Sequence, residues 1–140
     1  MLIDQIKTAN IEALKAKDTV ARGVLSVVSN KYKLQEVELK AAGKEIGDKE
    51  MLAIIQKTLK ELADEKEGYL KVGNQERADN ITRQEEVLSS YLPKQLSEEE
   101  IRNIILSLDD RSVPNVMKHF KMNYAGQVDM SLVNSVLRSL

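Results

Sequence analysis

An all-α fold is predicted for this chain by three features of its 140 residues. Aromatic residues are scarce, four Tyr and one Phe with no Trp, while Leu, Ile, Val, Ala, Lys and Glu are abundant. That balance favours helices over a sheet. Apolar residues recur at spacings of three and four, the period that lays one stripe along a helix. Capping residues and a single proline within the first 113 positions, Pro93, then punctuate the stripes. The expected arrangement is an N-terminal helical hairpin bundle of about four helices, residues 1–92, followed by a small three-helix lobe, residues 93–140.

The elements follow in order. Ile3, Ile6, Asn10, Ala13 and Leu14 give a short amphipathic first helix. Asp18 is placed to cap a longer second one that carries Ala21, Val24, Leu25, Val28, Tyr32, Gln35 and Leu39 on one face, closed by Gly43 and Gly47. Asp48 is expected to cap the third, with Glu50 set against the helix dipole and a stripe of Leu52, Ile55, Leu59, Leu62, Lys66 and Tyr69. Gly73 and Asn74 break the pattern, and Ala78, Ile81, Glu85, Leu88 and Leu92 resume it. This is a helical hairpin whose other faces, KELADEKEGYLK and RADNITRQEE, are densely charged and read as solvated.

The hairpin's second helix is expected to end at Tyr91 or Leu92, because Pro93 has no N–H to donate and disfavours helical angles in the residue before it. Ser97 with Glu100 three residues on is a capping box, and Leu96 with Ile101 fits a hydrophobic staple. Ile101, Ile104, Ile105 and Leu108 form the stripe of the fifth helix, which Asp109 and Asp110 end. Ser112 is expected to cap a sixth, with Pro114 in its first turn and Val116, Met117 and Phe120 apolar. After a turn at Gly126, Asp129 caps a last helix bearing Leu132, Val133, Val136, Leu137 and Leu140.

Several function classes are excluded by composition. Without cysteine there is no disulfide, thiolate or zinc set, and the one histidine, His119, is the single imidazole available to any serine. A phosphate loop at Gly43-Lys44 fails because Glu38 stands where its first glycine belongs. No catalytic, metal or cofactor constellation is present, so a self-contained enzyme is not expected. The N-terminal stretch MLIDQIKTAN interrupts any signal-like run with Asp4, and no apolar segment reaches the roughly 20 residues needed to span a bilayer. A cytoplasmic protein with no membrane role is the expectation; its oligomeric state is not set by the sequence.

The net charge of -1 removes any general case for nucleic-acid binding and leaves only local patches. One such patch exists. The run NVMKHFKMNYAGQVD holds Lys118, His119, Lys121, Asn123 and Tyr124 near a helix end, with no acidic residue between Asp110 and Asp129. Two readings stand beside each other. Lysines complement the C-terminal end of a helix dipole, or they contact phosphates while the tyrosine offers a stacking face.

The segments AKDTVARGVLSVV, GYLKVGNQERADN, EVLSSYLPKQLSEEEI and VMKHFKMNYAGQVDMSLVNSVL resemble corresponding parts of the GatB/YqeY domain family, over nearly the whole chain. The resemblance implies an all-helical fold with a larger N-terminal bundle and a small C-terminal lobe. It also implies kinship with the C-terminal tail of GatB, a component of the tRNA-dependent amidotransferase. The associated activity, carbon-nitrogen ligation with glutamine as amide donor, belongs to the complete enzyme, whose catalytic parts have no counterpart here. Two functional expectations follow. The first is a tRNA-contacting accessory module, acting in trans or beside a translation enzyme, with Lys94, Lys118, His119, Lys121 and Tyr124 as contacts. The second is a protein-binding helical adaptor that docks a partner through the charged hairpin, residues 49–92.

Overall fold

The computed structural model describes residues 1–140 and contains seven helices: α1 (Leu2–Lys15), α2 (Thr19–Ala41), α3 (Asp48–Lys71), α4 (Gln75–Ser89), α5 (Glu98–Leu106), α6 (Val113–Asn123) and α7 (Met130–Arg138). None is long and apolar enough to cross a membrane. The chain divides into two compact units, Met1–Tyr91 and Leu92–Leu140.

In the first unit α1 packs on α2 and α3, and α2, α3 and α4 pack on one another. Ile6, Leu25, Val28, Met51, Ile55 and Leu88 are fully buried at their common seam. Each such side chain contributes on the order of 1.5–3 kcal/mol relative to an exposed position. Three of the helices end in the same way. The N–H groups of Asp18, Lys44 and Asn74 return to the carbonyls of Ala13, Leu39 and Tyr69, which is the six-to-one bond of a Schellman cap. The residue before each donor is left-handed: Gly43 (φ 74°), Gly73 (φ 73°) and, without glycine's freedom, Lys17 (φ 57°).

Two side-chain clamps repeat across this unit. Lys31 Nζ on α2 donates to Thr58 Oγ1 (3.0 Å) and Glu61 Oε2 (3.2 Å) on α3. Lys66 Nζ on α3 donates to Thr82 Oγ1 (3.4 Å) and Glu85 Oε1 (2.7 Å) on α4. In both, the threonine hydroxyl donates back to the carbonyl four residues earlier, that of Ile54 or Ala78. One lysine thus grips a Thr-x-x-Glu face of the next helix.

Several local expectations are corrected. Asp48 does not cap α3; its carboxylate accepts from the backbone N–H of Leu2 at 2.8 Å, and Gly47 takes the cap position with its N–H donating to Glu50 Oε2. The buried stripe of α3 is Met51, Ile55, Thr58 and Leu62, rotated from the one predicted, because the Lys31 clamp makes Thr58 a core-facing residue. Leu14 on α1 and Leu140 beyond α7 are exposed. α4 ends at Ser89 rather than Tyr91 or Leu92, with Ser90 Oγ donating to the Val87 carbonyl.

The second unit has its own core. Ile101, Ile105, Val116, Phe120, Val128, Val133 and Val136 are buried together, with α7 packed on both α5 and α6. The Ser97–Glu100 capping box forms in both directions, at 3.2 and 3.3 Å. Ser112 occupies the N-cap of α6, yet its hydroxyl does not cap. Asp110 intercepts it instead, accepting from the Ser112 N–H at 2.9 Å and from its hydroxyl, and these bonds hold the Asp110 carboxyl below the usual aspartate range.

Candidate nucleic-acid interface

The acid-free run begins at Arg111, shortly after α5 ends. Arg111 is basic but committed: its guanidinium donates to the carbonyls of Leu106 (2.9 Å) and Leu108 (3.3 Å), closing the C-terminus of α5. The next cations lie on α6. Val116 and Phe120 point inward, and at about 100° per residue Lys118 and Lys121 fall on the opposite side of the helix. Both are exposed, and neither joins any ion pair of the chain. Met122, next to them, is 69% exposed.

His119 and Tyr124 are placed differently from the lysines. Both are half-buried, and their rings cluster with Phe120: His119 meets Phe120 edge-on with centroids 6.0 Å apart, Phe120 meets Tyr124 at 5.5 Å, and His119 meets Tyr124 at 6.0 Å. Asn123 Nδ2 lies 3.3 Å from His119 Nδ1 and donates to the His119 carbonyl at 3.0 Å. Tyr124 is the C-cap of α6, its N–H returning to the Phe120 carbonyl, and its ring packs against the core. The tyrosine ring is therefore engaged within the unit, and the residue contributes to folding as well as to the surface.

Lys94 lies on a segment held to the turn after α6 by a lock that sequence reasoning missed. Gln95 Nε2 donates to the carbonyls of Gly126 (2.7 Å) and Pro93 (2.9 Å), and the Leu96 N–H donates to the Gln127 carbonyl at 2.8 Å. The segment Pro93–Leu96 is thereby fastened along the Gly126 turn, where glycine's positive φ of 78° is required. Exposed Lys94 sits on that fastened segment. A glutamine between a lysine and a leucine carries no signal that its amide will bind a turn 31 residues away.

The arrangement presents cations without a converging chemical set. No group of three His, Cys, Asp or Glu side chains is placed to hold a metal, and the only side-chain hydrogen-bond partner of the His119 ring is Asn123. What the surface offers is exposed positive charge at Lys94, Lys118 and Lys121. Six basic and six acidic residues lie in Leu92–Leu140, but Glu98, Glu99 and Glu100 gather at the α5 N-terminus, away in sequence from Lys118 and Lys121.

No curated protein matches the chain in sequence. Among protein families, that of the Yqey-like proteins matches residues 3–140, and this family is related to the C-terminal domain of GatB, the amidotransferase component. A match over nearly every residue of an all-helical chain shows the membership, and the chain belongs to the Yqey-like protein family.

Proposed function

We propose that the protein is a tRNA-contacting accessory module of translation, working in the cytoplasm in trans or beside a tRNA-modifying enzyme and carrying no amide-transfer chemistry of its own. The observation that carries this reading is the pair Lys118 and Lys121, exposed, unpaired and aligned on the outer side of α6 within an acid-free run. The helix dipole accounts for Lys121, which lies in the last turn of α6, but not for Lys118, which lies before it. Kinship with the amidotransferase tail gives the same direction, because that enzyme's substrate is a charged tRNA. Lys94 and the half-buried His119 and Tyr124 are the further contacts of this reading.

The test is direct binding of unfractionated tRNA at low salt by the intact protein and by Lys118→Ala/Lys121→Ala. The expected result is weak but measurable binding, reduced at least about tenfold in the variant with melting temperature nearly unchanged. Undiminished binding by a folded double variant would sink this site. A second reading rests on a different observation. The α3–α4 hairpin holds ten acidic and seven basic residues and exposes Leu70 and Val72 near its turn. That surface suits a protein partner better than a nucleic acid, and capture of no tRNA at any salt would put the helical adaptor first.

A further inference from the structure

The outward side of α2 carries an apolar stripe of its own. α2 buries Ala21, Val24, Leu25, Val28, Ser29 and Tyr32 against its own bundle. Facing away are Gly23, Val27, Asn30, Leu34, Val37 and Ala41, every one exposed, at alternating spacings of four and three. Val27 is 44% exposed, Leu34 68% and Val37 69%. That 3.5-residue repeat is the seam of a two-helix coiled coil. Five of its six positions are apolar or small, in a chain whose charged residues, at 31% of the sequence, could have filled them.

Gly23 sharpens the point. It lies inside a 23-residue helix, its φ is not positive, and a Cβ placed there would meet nothing within 4 Å. Glycine inside a helix weakens it, and nothing in the fold of this chain requires one here. Its missing side chain leaves room for close approach from outside.

We propose that this face is a self-association seam on which α2 of a second copy of the chain docks in parallel. Two features select a second copy and that direction. With Val27 and Leu34 on one seam line and Asn30 and Val37 on the other, Lys33 and Glu38 flank the seam on opposite edges, five residues apart. Parallel pairing sets Lys33 beside the partner's Glu38, and two-fold symmetry makes the contact twice. Neither residue joins an ion pair within its own chain. Antiparallel pairing would bring Lys33 against the partner's Lys33.

Asn30 gives the same answer independently. In the parallel register it meets the partner's Asn30, amide to amide, whereas in the antiparallel one it faces the partner's Leu34 and its amide is left unpaired. The seam covers fewer than three heptads, so the dimer is weak and concentration-dependent. It does not depend on the tRNA reading.

Because the chain contains no cysteine, the test is clean. Asn30→Cys in the full chain should form a covalent dimer under mild oxidation at high protein concentration, since a parallel seam sets this position against itself. Glu67→Cys, on an exposed face of α3, should stay monomeric. Leu34→Asp added to Asn30→Cys should abolish crosslinking while circular dichroism stays unchanged, because Leu34 is 68% exposed and lies outside the buried core of the bundle. In sedimentation experiments on the cysteine-free chain, Lys33→Glu should weaken self-association about tenfold, and Lys33→Glu/Glu38→Lys should restore it. The proposal is overturned if the protein stays monomeric up to millimolar concentration and Asn30→Cys crosslinks no faster than Glu67→Cys. It is overturned equally if a dimer forms that Leu34→Asp leaves intact.

Discussion

Lys17 occupies the position in its Schellman cap that Gly43 and Gly73 occupy in theirs, with φ 57° against their 74° and 73°. A side chain in that region costs on the order of 1 kcal/mol, because Cβ crowds the neighbouring carbonyl. Lys17→Gly should therefore stabilise the protein by about 0.5–1 kcal/mol, part of the relief being offset by the freer unfolded chain. A denaturation midpoint that falls would mean Lys17 holds the α1–α2 turn by some other contact. The turn at Gly43 was legible in the sequence as a helix stop, and so was Gly73, because glycine announces a positive φ. Lys17 announces nothing. The same contrast governs the N-caps. Ser97 and Glu100 are local partners and were readable as a box, whereas Asp48 is claimed by the N–H of Leu2, 46 residues away, and Ser112 is diverted by Asp110. Capping motifs are legible when no distant or neighbouring group competes for the side chain.

Among elements, the two Lys–Thr–Glu clamps explain how helices with narrow apolar stripes keep a single register. Apolar stripes alone tolerate a shift along the helix axis, while a lysine that must reach both a hydroxyl and a carboxylate one turn apart does not. The Lys66–Glu85 pair is the closer of the two, at 2.7 Å, and about a quarter exposed on average, with side-chain exposures of 30% and 21%. A double-mutant cycle with Lys66→Met and Glu85→Gln should return a coupling of about 0.5–1 kcal/mol after allowance for solvent screening. A coupling near zero would reduce the clamp to a surface contact and leave register to Ile81 and Leu88. This is also where sequence reading of α3 slipped. It followed Leu52 and Leu59 because they are apolar, and passed over Met51 and Thr58; Thr58 is only 4% exposed. A buried threonine looks polar in a pattern, and only its partners, Lys31 and the Ile54 carbonyl, reveal why it belongs inside.

For the whole molecule the decisive quantity is charge. Basic and acidic residues nearly cancel, 21 against 22, and the sequence pI of about 5.9 leaves no general attraction for a polyanion at neutral pH. Binding to tRNA must then come from few contacts. The lysines of the patch were legible because the absence of acids between Asp110 and Asp129 is visible in one line of sequence; the fastening of the Lys94 segment to the turn after α6 was not, since it depends on the Gln95 amide meeting the Gly126 carbonyl. This difference can be measured. Each phosphate neutralised releases counterions worth roughly 0.7–0.9 in the slope of log affinity against log salt. Three lysines acting together should give a slope of about -2 to -3. Lys118→Ala/Lys121→Ala should leave about -1, the share of Lys94. Gln95→Leu, which keeps every charge but unfastens Lys94 from the turn, should bring the intact slope down by about one unit and leave the two α6 lysines in place. A slope steeper than about -5 in the parent protein would show contacts well beyond these three and move the interface elsewhere on the chain. Gln95→Leu without effect would separate Lys94 from the site and reduce it to the outer face of α6.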